Sequence, residues 1–258
     1  MFILISPAKT LDFESPIPNI SNTPIRFPEA ATALVDQLKK LSPQDLSALM
    51  SISPQLAQLN HHRFQTWQHP FNSQQTRAAI YAFKGEVFTS IDATSLKEDD
   101  IRYSQNRLRM LSGLYGLLRP LDAILPYRLE MGTKFQNKGG KNLYEFWGDA
   151  ISQLLKKDMD DAQQNVLVNL ASNEYFKAVT KKKLGKHIIT PVFKDLKNGH
   201  YKVVSFYAKR ARGLMTRFIL QNQLQDPNDL TAFTEEGYYF HPELSQKDQP
   251  VFVRDHAE

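Results

Sequence analysis

Three polar segments of this chain hold the residue types that could do chemistry. In the first, Ile5-Ser-Pro-Ala-Lys-Thr-Leu-Asp12, Ser6 and Lys9 directly follow an apolar N-terminal run. Loops at the carboxyl ends of strands are where α/β proteins place ligands, so Lys9 could meet a phosphate and Ser6 could be a donor or nucleophile. No glycine-rich cradle is present, which excludes a Walker loop. The second segment, Leu111 to Leu117, places Ser112, Gly113 and Gly116 between stretches bearing Arg107, Arg109 and Arg119. This is a loose helix-hairpin-helix pattern, a motif that turns backbone N–H groups toward a phosphate. It has two residues between its glycines where the usual hairpin has one, and a glycine-punctuated turn between helices fits as well.

The third segment runs from Ser205 to Arg217. Lys209, Arg212 and Thr216 share one helical face and Arg210, Gly213 and Arg217 the next. With a helix expected from about Ala208, Lys209, Arg210 and Arg212 fall in its first turns, where the dipole disfavours cations by about 0.3–1 kcal/mol each unless an anion sits there. The alternative is a surface helix with snorkelling cations. Glu130, Glu174 and Asp122 are candidate acid/base groups, against the commoner structural role of carboxylates near Arg. No catalytic residue is assignable. His61 and His62 are adjacent and no other His pair is close, so neither a metal site nor a cofactor is expected.

Charge separates these segments from the rest. The formal net charge is only +5, yet Lys177 to Arg217 carries twelve Lys or Arg against Asp195 alone, a balance of +11. Residues Ile101 to Lys141, which include Arg128, add +6, leaving −12 elsewhere. A molecule divided by sign in this way attracts polyanions. With no cysteine, thiol redox chemistry, disulfides and iron–sulfur ligation are excluded. Met1 to Ile5 is too short for a signal peptide, and no window approaches the roughly 20 apolar residues of a membrane span, so a cytoplasmic protein with no membrane partner is expected.

The elements that must hold these segments read as mixed α/β in a single domain over 1–258. Met1 to Ile5 is a buried strand, and four prolines between Pro16 and Pro28 keep the following stretch a covering loop. Ser42-Pro43 and Ser53-Pro54 each start a helix, with serine as the cap. Two short helices are expected across Leu108 to Leu121. Asn165 to Leu170 is a strand, followed by a helix capped at Ser172 and running through Val179. Asn198-Gly199 marks a hairpin, and Val251 to Val253 a last strand.

The three segments, the second extended through Arg119-Pro-Leu-Asp122 to Tyr127-Arg-Leu-Glu-Met-Gly132, resemble the YaaA family of bacterial peroxide-stress proteins. The resemblance implies a fold outside the common superfolds with a basic cleft and a helix-hairpin-helix element. It also implies binding of double-stranded or structured DNA, protection from oxidative DNA damage, and lowered free iron. By position it places the hairpin at Leu111 to Gly116, with contacts at Ser112, Gly113, Gly116 and Arg119, and cleft cations at Lys9, Arg109, Arg128, Lys209, Arg210, Arg212 and Arg217. The rival is an enzyme acting on a nucleotide, base or other phosphorylated molecule through Lys9, the arginines and Glu130 or Glu174. Iron sequestration by scattered carboxylates is a third, weaker reading.

Overall fold

The computed structural model describes residues 1–255. Strand β1 (Phe2–Ile5) is buried along its whole length, as an apolar, β-branched run must be when both faces of a sheet are covered. It pairs in parallel with β2 (Leu108–Ser112) on one side, Ile3 opposite Leu108. On its other side lies β4 (Val166–Asn169), Ile3 opposite Val168. An antiparallel strand β3 (Gly116–Leu118) and a parallel β5 (His187–Ile189) complete the order β3-β2-β1-β4-β5. A second sheet holds β6 (Val192–Lys197), β7 (His200–Lys202), β8 (Tyr239–Phe240) and β9 (Val251–Arg254) in the order β7-β6-β9-β8. Asn198 and Gly199, both at positive φ, make the tight turn between β6 and β7.

Three helices occupy the N-terminal third: α1 (Pro28–Leu38), α2 (Pro43–Met50) and α3 (Pro54–Thr66). Ser42 and Asp45 form a reciprocal capping box on α2, and the Ser53 hydroxyl accepts from the Leu56 N–H at the start of α3. Further on come α4 (Glu86–Ile91), α5 (Glu98–Arg107), α6 (Ala150–Asp161) and α7 (Ser205–Gln221). Buried side chains from Met1 to Phe252 form one continuous apolar cluster linking the two sheets, as expected of a single domain. No helix among the described residues is long and apolar enough to cross a membrane.

The structure corrects three expectations. Leu111 to Gly116 is not a helical hairpin: Ser112 pairs with Gly116 across an antiparallel β-turn. The reason is burial on both faces, since every residue of β2 and β3 is inside, which favours strand over an amphipathic helix with a wet side. Helix α7 begins at Ser205, a turn earlier than expected, so Lys209, Arg210 and Arg212 lie beyond its dipolar end. The helix capped by Ser172 stops at Phe176 rather than Val179.

Candidate functional site

The chain leaves β1 toward β2 and leaves β4 in the opposite direction toward β5. The loops after β1 and β4 therefore diverge, and such a switch point is where open α/β sheets bind ligands. Ser6 and Ser172 meet there: the Ser172 N–H donates to the Ser6 Oγ at 2.8 Å, and that hydroxyl donates to the Ser172 Oγ at 3.2 Å. Ser172 also caps the short helix Asn173–Phe176, which fixes the position of Glu174.

A third loop, Tyr127 to Gly132, crosses the carboxyl end of β2. It can do so because Gly113 has no side chain: a Cβ there would lie 2.3 Å from the Leu129 carbonyl oxygen. The loop delivers Arg128 and Glu130 to Lys9. The Glu130 carboxylate is 2.7 Å from the Lys9 ammonium and 3.2 Å from the Arg128 guanidinium. Its neighbour Glu174 accepts from the Gly132 N–H at 2.9 Å, and a Cβ at Gly132 would lie 2.9 Å from the same oxygen. Beneath this layer runs a buried hydroxyl chain. Ser112 and Tyr127 share a 2.6 Å hydrogen bond, the Tyr115 N–H donates to Ser112 Oγ at 2.9 Å, and Trp67 donates to the Tyr115 hydroxyl at 3.1 Å. Burial pushes the Tyr127 and Tyr175 phenols up, with Glu174 and Glu130 adding to the rise at Tyr175. Both therefore stay protonated at neutral pH.

Over these loops lies a groove of about 640 Å³, walled by Leu49 to Ser51 on one side and by Glu130, Thr133, Lys134 and Glu174 on the other. Of its two carboxylates Glu130 is paired with Lys9 and Arg128 from behind, and Lys134 adds a cation to the lining, a mixed surface suited to hydrogen bonding and close contact rather than to a bare anion cradle.

The expected cations disperse. Lys9 and Arg128 reach the site, both against Glu130. Arg109 is buried against Asp158, which also binds Arg26. Arg119 pairs with Asp122 at 2.8 Å, and Arg210 donates to Glu236 at 2.7 Å. Arg217 donates to the Ile91 and Asp92 carbonyls at the end of α4. Arg212 is largely desolvated, which lowers its pKa, and Lys209 is exposed. Ser112, Gly113 and Gly116 are buried, and a Cβ at Gly116 would press on the Trp147 ring at 2.7 Å. These three serve packing.

Sequence reasoning missed the wall formed by the end of α2 and Ser51, although Ser53-Pro54 marked the helix start beside it. It also missed Thr133 and Lys134, which carry no local signal.

The family model described as Peroxide stress protein YaaA matches residues 1–244. The chain belongs to this family. Relatives of the YaaA-family chain include UPF0246 proteins of Hahella chejuensis, 54% identical over 99% of this chain and all of the relative, and of Idiomarina loihiensis, 55% identical over 98% of each. Another, from Alcanivorax borkumensis, is 52% identical over 98% of each. YaaA membership supports a role in the peroxide stress response.

Proposed function

We propose that this YaaA-family protein acts in peroxide stress by binding DNA through its sugar–phosphate backbone, without sequence readout, so as to limit oxidative damage. The observation that carries the reading is the helical hairpin α2–α3. Ser51 adopts a left-handed conformation at φ 51°, which turns the chain within three residues, and Ser53 caps α3. In the first turn of α3 Pro54 has no N–H and Ser53 takes those of Leu56 and Ala57, which leaves the Gln55 N–H to meet a phosphate at the hairpin. Ser51 also walls the groove that Lys134 lines from the other side. Affinity should fall steeply between about 50 and 200 mM salt as counterions are released. A flat response in a fluorescence-anisotropy titration of duplex DNA would remove the proposal.

Lowered free iron is read as an indirect consequence: among the described residues no group of three or more His, Cys, Asp or Glu converges to hold a metal. One observation favours a second reading, an enzyme acting on a nucleotide or other phosphorylated molecule: Glu130 and Glu174 line one groove at the sheet's switch point. Thermal-shift screening against nucleotides separates the two, since a ligand at 100 times its Kd stabilises by about 2.7 kcal/mol.

A further inference from the structure

We propose that the pocket between the covering loop and the C-terminal half of α3 binds a 5′-phosphorylated nucleotide, with the phosphate between Arg63 and Arg77 and the base over Phe13. The pocket encloses about 460 Å³, within the range of small-molecule sites. It shares no lining residue with the groove described above; the length of α3, about 20 Å, separates the two.

Its charge is uncompensated. Arg77 is buried, yet its donors meet only carbonyls, Tyr81 O at 3.1 Å from Nε and Ser15 O at 2.6 Å from Nη2. Its Nη1 takes no protein acceptor among the described residues. Arg63 reaches only the Asn60 side-chain oxygen, at 3.5 Å. Neither arginine has a carboxylate partner among the described residues, and no lining residue is acidic. Burial without a counter-charge depresses the Arg63 pKa. Two guanidiniums taken partly out of water without an anion are costly, and a phosphate dianion answers both with charge-assisted hydrogen bonds. The rest of the lining selects what the phosphate carries. Phe13 offers a partly exposed aromatic surface, and Gln74 and Gln75 offer amide donors and acceptors matching the edge of a base. The ligand is thus a phosphorylated heteroaromatic rather than a bare anion. This inference does not depend on DNA binding at the α2–α3 hairpin.

The test is calorimetric titration of the full chain with dAMP and dTMP, with the parent nucleosides, and with single-stranded oligonucleotides with and without a 5′-phosphate. Saturable binding of the mononucleotides is expected, weaker for the nucleosides and for Arg63→Gln by about tenfold or more. Ile17→Trp, at an exposed lining position, should block the mouth while leaving both arginines in place. Thermal unfolding confirms that each variant is folded. If only the phosphorylated oligonucleotides bind, with the same sensitivities, the site is supported and its ligand is a strand end. Binding that ignores the phosphate, that is undiminished in folded Arg63→Gln, or that is absent altogether overturns the inference. Duplex binding measured in parallel keeps the outcomes apart, since intact duplex binding without nucleotide binding sinks this site and leaves the DNA reading standing.

Discussion

The Arg109 Nε donates to the Asp158 carboxylate at 2.6 Å and so ties β2 to α6 inside the protein, with both side chains under 10% exposed. A residue expected to face DNA is therefore half of an internal pair, completed by Arg26 at 3.0 Å. Removing one partner leaves a buried charge alone, which costs about 3–5 kcal/mol. Asp158→Asn should accordingly lower the urea midpoint strongly. DNA affinity per folded molecule should stay at the parent value, as checked by anisotropy under conditions where both variants are folded.

The same pair sets an acid response. Burial alone would raise the Asp158 carboxyl, but hydrogen bonds and charge from Arg26 and Arg109 outweigh it and hold the group below its ordinary value. The folded state then binds fewer protons than the unfolded chain, so this stabilisation is present above about pH 4 and is lost as pH falls through the folded value. Urea denaturation from neutrality down to about pH 3 should show a loss of stability that is shallower in Asp158→Asn.

Glu130 neutralises both Lys9 and Arg128 at the groove. Glu130→Gln frees two cations, so duplex affinity should rise and the slope of log K against log salt should steepen by up to about 0.9 for each new phosphate contact. An unchanged slope would place the DNA path away from these loops.

Gly113 separates the packing and phosphate readings of its loop. A Cβ would sit 2.3 Å from the Leu129 carbonyl oxygen, so Gly113→Ala should destabilise by about 1–3 kcal/mol or more through overpacking. Gly213→Ala should do likewise, because its Cβ would lie 2.2 Å from the Val87 carbonyl oxygen where α7 crosses α4. Chemical denaturation measures both.

Lys209, Arg210 and Arg212 should behave differently from one another. Lys209 is exposed, so Lys209→Gln should change stability by less than about 0.5 kcal/mol. Arg210→Gln removes a partly exposed pair with Glu236, worth up to about 1 kcal/mol. Arg212→Gln removes a desolvated cation and should leave stability equal or higher. The thermal midpoints of the single variants check this ranking.

What the sequence determined by itself was local. Apolar β-branched runs made β1, β4 and β9 legible, serine–proline pairs marked the starts of α2 and α3, and Asn198-Gly199 marked the β6–β7 turn, because each rests on backbone preferences of neighbouring residues. Family resemblance rested on the same contiguous segments. Tertiary structure alone decided the rest. Leu108 to Leu118 is mostly apolar, and only its place beside β1 made it a strand pair rather than two helices. Charge counts along the chain could not say which arginines were already paired, since Asp158 lies 49 residues from Arg109 and Glu236 lies 26 from Arg210. Coulombic partners act through space at a few ångströms. The convergence of Ser6 with Ser172, of Lys9 with Glu130, and of Arg63 with Arg77 belongs to the fold, which brings distant loops to one edge of a sheet or one side of a helix.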